Sequence, residues 1–242
     1  MSAKSDIPTQ SARWRVSLDA AALEQAAAAQ VLDAAREAIA ERGIFHIVLA
    51  GGTTPRRLYE RLRQAEADWP RWQVWFGDER CLPPDDAERN SRMARSAWLD
   101  HVSIPAANIH VIDGELGPAA AAADYAHELE GIGEFDLVLL GLGEDGHTAS
   151  LFPGREWRAA KGLPAALPVL DAPKPPPERI SLSPERLSAA RRVFFLVTGA
   201  GKRQAVRQWR SGIAIPASAI APPRGVDVFI DAAALGDAAD PT

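Results

Sequence analysis

Cysteine is all but missing. Cys81 is the single one in 242 residues, which excludes an internal disulfide and fits a reducing compartment. Long apolar runs are missing as well, and none approaches the roughly 20 residues that a membrane-spanning helix requires. Met1–Ser11 is polar and lacks the apolar segment of a secretory leader, so a cytoplasmic protein without a membrane partner is expected. Nor is positive charge in excess. Lys and Arg number 27 against 32 Asp and Glu, a net charge of −5, so nothing global draws nucleic acid or an anionic surface. The chain contains no G-x-x-x-x-G-K-[ST] phosphate loop, no G-x-G-x-x-G dinucleotide turn, no G-x-S-x-G nucleophile elbow and no H-E-x-x-H. Cys81 has no partner for a zinc site, and no metal or cofactor is expected.

What remains is an ordinary globular composition, with 47% hydrophobic and 24% charged residues. Apolar strands alternate with helices from end to end, without repeats or a shift in composition. Trp14–Leu18 reads as a strand, and Asp19 caps an alanine-rich helix over Ala20–Arg42 that Gly43 stops. Its apolar stripe is Leu23, Val31, Leu32 and Ile39. Ile44–Ala50, Val74–Phe76, Ile109–Ile112, Phe135–Leu140, Val193–Val197 and Val226–Asp231 read as further strands. Helices are expected over Pro55–Gln64 with Thr54 as cap, Asn90–Leu99, Pro118–Glu130, from Ser183-Pro184, and over Lys202–Trp209. Arg155–Glu178, rich in proline, reads as an irregular surface excursion before Arg179–Leu182 resumes extended structure. This is the pattern of one Rossmann-like α/β domain whose mostly parallel sheet is flanked by helices.

Chemistry gathers where strands end. The run Phe135–Leu140 leads into Gly141-Leu142-Gly143-Glu144-Asp145-Gly146-His147, a loop too glycine-rich for packing core. There an acid and an imidazole one glycine apart can act as an oriented general base. Gly51-Gly52-Thr53-Thr54-Pro55 joins a strand to a helix start, so that free backbone N–H groups and two hydroxyls face an anion. Asp78-Glu79-Arg80 and Gly199-Ala200-Gly201-Lys202 follow two more strands. Parallel strands set their carboxyl ends on one side of the sheet, so these loops can share a cleft. The inventory is an anion cradle, the cations Arg80, Arg179 and Lys202, two acids and one imidazole. It suits a phosphorylated small molecule undergoing proton transfer. Were the reaction a hydrolysis, His147 would activate water and Arg80 would stabilise the oxyanion. Cys81 reads as a small buried filler, His46 as a satisfied core residue, and His101, His110 and His127 as structural or exposed.

The motifs Gly51–Pro55, Phe76–Arg80 with Pro83, Asp136–Gly154, Pro176–Ser183, Gly199–Lys202 and Val226–Asp231 together resemble the 6-phosphogluconolactonase family. The resemblance spans a core from about Trp14 to Ala233 within a single domain over 1–242. It implies a fold similar to glucosamine-6-phosphate deaminase and metal-free hydrolysis of 6-phospho-D-glucono-1,5-lactone by a monomer or weak dimer. It further implies His147 as the base, steered by Asp145, with Arg80 and Asp78 facing the lactone. Arg179, Lys202 and the turn Gly51, Gly52, Thr53 and Thr54 would grip the phosphate. Two departures are Asn90-Ser91, where Ser-Asn is expected, and Thr53 where serine is common.

Two rivals use the same scaffold. A deaminase or isomerase carries a carboxylate five residues after the motif histidine, where this chain has Phe152. A sugar-phosphate-sensing regulator would carry a helix-turn-helix, for which the stretch before Trp14 is too short.

Overall fold

The computed structural model describes residues 10–154 and 162–236. Most of the polar stretch Met1–Ser11, the start of the proline-rich stretch at Arg155 and the last residues of the alanine-rich tail lie outside the described residues. Six strands form one parallel sheet: β1 (Ala12–Ser17), β2 (Phe45–Leu49), β3 (Trp72–Phe76), β5 (Phe135–Gly141), β8 (Ala190–Val197) and β9 (Val226–Asp231). Their order across the sheet is β1-β9-β8-β5-β2-β3, and every pairing is parallel. Strands buried on both faces are mostly apolar, as β5 is apart from Asp136, while β9 is buried throughout with Asp227 and Asp231 among its apolar residues. The parallel α/β architecture is therefore as expected.

The α-helices among the described residues are α1 (Ala20–Arg42), α2 (Thr53–Leu62), α3 (Asn90–Ala97), α4 (Pro118–Glu128), α5 (Pro184–Ser188), α6 (Arg203–Arg210) and α7 (Ala232–Leu235), and three short strands are described below. The side chain of Asp19 accepts the Ala22 N–H at 2.8 Å and Gly43 closes α1, both as expected. The buried stripe of α1 differs from the expected one. Leu23, Ala27, Val31, Ala34, Ala35 and Ala38 are buried, whereas Leu32 and Ile39 pack only partly. Small side chains let this long helix lie close on the sheet, so the alanines themselves are core.

Four expectations are corrected. Asp78–Arg80 is not a loop but β4, and the proline-rich stretch contains β6 (Ala166–Val169). With β7 (Arg179–Leu182) these form a second, antiparallel sheet in the order β4-β7-β6. Ile109–Ile112 makes one bridge to Val74 and no strand. The Ile112 carbonyl accepts instead from Arg89 at 2.5 Å and from the Gly114 N–H at 3.0 Å. Helix α2 begins at Thr53, with Gly52 and not Thr54 as its cap, since the Thr54 hydroxyl is 2.6 Å from that of Thr198.

One continuous hydrophobic cluster underlies both faces. Near α2 and α3 it is aromatic, with Trp72 5.6 Å from Trp98 and Trp98 5.8 Å from Tyr59. From β2 the chain moves outward to β3, whereas from β5 it moves the opposite way to β8 and β9. The carboxyl ends of β2 and β5 thus flank a switch point, where open parallel sheets bind ligands. Among the described residues no helix is long and apolar enough to cross a membrane.

Candidate active site

The loop after β5 is folded tightly on itself. The Gly143 N–H donates to the His147 carbonyl at 2.8 Å and the Gly146 N–H to the Gly143 carbonyl at 3.0 Å. His147 Nδ1 then lies 2.5 Å from Asp145 Oδ1, which also accepts the His147 backbone N–H at 3.2 Å. A Cβ on Gly143 would stand 2.0 Å from that imidazole nitrogen, so only glycine leaves room for the ring. The ring rests against the buried Phe152, centroids 4.8 Å apart. Burial holds the imidazole below its ordinary pKa. Asp145 and, farther off, Asp78 oppose that shift, and Lys174 adds to it. Burial alone would raise the Asp145 carboxyl, but its bonds to His147 keep it below the usual carboxylate range.

At the end of β2, the Tyr59 hydroxyl accepts the Ala50 N–H at 2.9 Å and donates to the Ala50 carbonyl at 2.8 Å. This ties the strand end to the aromatic core. Gly51 follows, and a Cβ there would fall 1.9 Å from Asn90 Oδ1. Asn90 fills that space and donates to the Asp78 carbonyl and to Asp78 Oδ1, each at 2.9 Å. The first turn of α2 has no side-chain cap, so its N–H groups and the positive pole of the helix stay available.

The small sheet supplies the facing wall. Asp78 Oδ2 accepts from the Ser150 hydroxyl at 2.6 Å. Glu79, wholly buried, accepts the backbone N–H groups of Arg80 and Asn90 at 2.8 Å and of Ser91 at 2.9 Å, and pairs with the buried Arg89 at 3.3 Å. Arg80 donates to the Glu88 carbonyl and stands directly across the strand pair from Arg179. Two like charges in that position repel unless an anion joins them. Burial, then Arg80, hold the Arg179 guanidinium below its ordinary pKa. Burial likewise lowers the Lys202 ammonium, opposed by Glu144 and reinforced by Lys174. The loop carrying Lys202 is anchored by the Gly199 N–H, which donates to Asp231 at 3.1 Å.

Gly51, Gly52, Asp78, Arg80, His147, Arg179 and Lys202 all line one cleft. Asp145 stands behind His147. Thr53 is exposed and Thr54 is turned to Thr198, and neither lines the cleft. Asn90 and Lys174 also line it, and neither is among the site residues expected from the sequence. The sequence marks Asn90 as a helix start and as a departure from a motif, neither of which points to the cleft. Lys174 is a cation set among prolines in a stretch read as irregular, and that was its only signal. Of the other residues singled out, His46 accepts from Trp75 Nε1 at 3.1 Å, as expected. Cys81 is half-buried, with its thiol pushed up to about 11 by burial, which fits a filler and not a nucleophile. Among the described residues no group of three His, Cys, Asp or Glu could hold a metal ion.

A family model described as glucosamine-6-phosphate isomerases/6-phosphogluconolactonase matches residues 18–229. The chain belongs to this family. Within the glucosamine-6-phosphate isomerase/6-phosphogluconolactonase family it is 40% identical over 215 residues to the 6-phosphogluconolactonase of Nostoc sp., covering 81% of this chain and 86% of the relative. It is 42% identical over 184 residues to that of Synechocystis sp., covering 70% and 73%. The solved 6-phosphogluconolactonase from Trypanosoma brucei matches with a TM-score of 0.82 at 27% identity, over 93% of this chain and 98% of that one. A monomeric glucosamine-6-phosphate deaminase, 21% identical with a TM-score of 0.78 over 92% and 98%, shares the fold. The expected likeness to that deaminase is thus found.

Proposed function

We propose that the chain is a 6-phosphogluconolactonase, opening 6-phospho-D-glucono-1,5-lactone to 6-phosphogluconate in the oxidative pentose phosphate pathway. The observation that carries this reading is the His147–Asp145 pair, placed at the switch point beside a cleft whose lining includes Arg80, Lys174, Arg179 and Lys202. The identity to curated 6-phosphogluconolactonases supports it. The reading takes the chain as a single domain, a monomer or weak dimer, at work in the cytoplasm, to which the lone cysteine is suited.

With Nδ1–H donated to the Asp145 carboxylate, the Nε2 lone pair becomes the basic site of the ring. Nε2 takes a proton from water as the water oxygen bonds to the lactone carbonyl carbon. Arg80 stabilises the negative charge that develops on the carbonyl oxygen. The bond from that carbon to the ring oxygen then breaks, the ring oxygen takes up a proton, and the sugar acid leaves as its carboxylate. Lys202 and the uncapped start of α2 hold the phosphate, while Asp78 shapes the lactone side of the cleft and Arg179 gives donors to the backbone carbonyls of residues 174–176. A depressed imidazole pKa suits this role, because the neutral ring is then the resident form at neutral pH. Phe152 packs under His147 where a ring-opening deaminase carries its carboxylate, which disfavours that rival.

The test is lactone hydrolysis by the purified chain and by His147→Ala, with the spontaneous opening subtracted. Equal enzymatic turnover in the two would reject the reading.

A further inference from the structure

Arg179 is not an idle cation. Its Nε donates to the Pro176 carbonyl at 2.9 Å, and one terminal nitrogen donates to the carbonyls of Lys174 at 2.9 Å and Pro175 at 3.0 Å. Three of the five donors of a guanidinium are thereby committed to three successive carbonyls of one turn. The group is buried, with its carbon 5.5 Å from the centre of the Phe152 ring on which His147 also rests. Lys174 is the opposite case. It is exposed, lines the cleft, and among the described residues its ammonium has no hydrogen bond or ion pair. It shares the cleft with His147 and Lys202, and its charge is felt by Asp145, His147 and Lys202.

We infer that Arg179 is a positioning residue that grips the 174–176 turn, and that Lys174 is the cation this turn offers to the anionic group of the substrate. The inference rests on the lactonase reading for the identity of that substrate. The placement of Lys174 stands without it. Arg179 acts through its planar fork, which a lysine at the same position cannot reproduce. Lys174 acts as a point charge. His147 is faced by Asp145 from its own loop, by Asp78 from β4 and by Lys174 from the turn. Removing the last of these takes a positive charge from beside the ring.

The experiment uses the full chain as wild type, Lys174→Met, Arg179→Lys and the double variant, with 6-phosphogluconate and inorganic phosphate as probes in calorimetry. The His147 ring is titrated by NMR in the unliganded proteins. Lys174→Met is expected to weaken 6-phosphogluconate binding by about tenfold or more, the worth of one charge-assisted hydrogen bond. It should also move the ring midpoint to higher pH. Arg179→Lys keeps the charge but loses the fork, and should lose a similar factor. The double variant should be no more than about threefold worse than the poorer single one, as for two residues on one path. Binding by Lys174→Met within twofold of wild type overturns the proposal, as does an unmoved ring midpoint, a pair of losses that multiply, or a wild type that binds neither probe. Should Arg179→Lys not fold, the surface variant Lys174→Met decides by its binding and its ring titration. A wild type that binds phosphate but does not hydrolyse the lactone would sink the lactonase reading alone, since the ring titration still reports on Lys174.

Discussion

The two walls of the cleft are built on different principles. The wall after β5 is one contiguous loop in which Gly143, Asp145 and His147 satisfy one another within five residues. The facing wall joins β4 to β7 and the neighbouring 174–176 turn, about 100 residues farther along the chain, and holds them by the pairing of Arg80 with Arg179 and by side chains bonded to carbonyls. The first wall bears the proposed base and the second wall mainly bears charge. Chemistry that needs a sub-ångström relation between two groups is served by a short rigid loop. Charge that must surround a ligand is collected from distant stretches, where a small shift matters less because Coulomb attraction falls off slowly with distance.

This contrast can be broken. Its strongest test is His147→Ala, expected to lower kcat by about 10²–10⁴-fold with the fold intact, read from lactone turnover and a melting curve. Gly143→Ala comes next. Its methyl group would stand where the imidazole now is, and displacing the ring by about 1 Å is expected to cost on the order of 10² in kcat, with KM little changed. Asp145→Asn removes the group that opposes the burial-driven fall in the His147 pKa. The neutral ring is the active form, so the rate falls as pH drops through the ring pKa. That acid limb should lie below the usual imidazole value in the wild type and move lower still in the variant, while the plateau falls about tenfold. A limb that moves upward would show that the carboxylate does not face the ring. The smallest effect is that of Lys202→Ala, which removes a cation brought in by a further stretch after β8: about a tenfold rise in KM with kcat nearly unchanged, because a phosphate grip persists from ground state to transition state. If Lys202→Ala lowered kcat and left KM alone, the division between a local base and a gathered charge would fail.

The same contrast explains what was legible in the sequence. The β5 wall is local, so glycines, acid and imidazole stood side by side after an apolar run and could be read as a unit. The parallel sheet was legible for a similar reason, since each buried strand carries its own signal. The small sheet was not. A strand of three charged residues has no periodicity, and Asp78–Arg80 becomes β4 only because Arg179–Leu182 arrives from far along the chain. Thr54 has the chemistry of a cap, yet a hydroxyl at residue 198 claims it. Lys174 could be counted among the lysines but not chosen from them, because what marks it is the arginine that fastens its backbone.

The outermost strand has a consequence for how the protein comes into being. Among the described residues β1 pairs only with β9, and Arg13 and Arg15 reach Asp227, 214 and 212 residues farther on, to seal that edge. At about 5–20 residues per second, a ribosome needs roughly 10–40 s between making the two partners. Throughout that interval the beginning of the chain is an open seam, a place where a chaperone or a wrong neighbour can dock before the rightful one emerges.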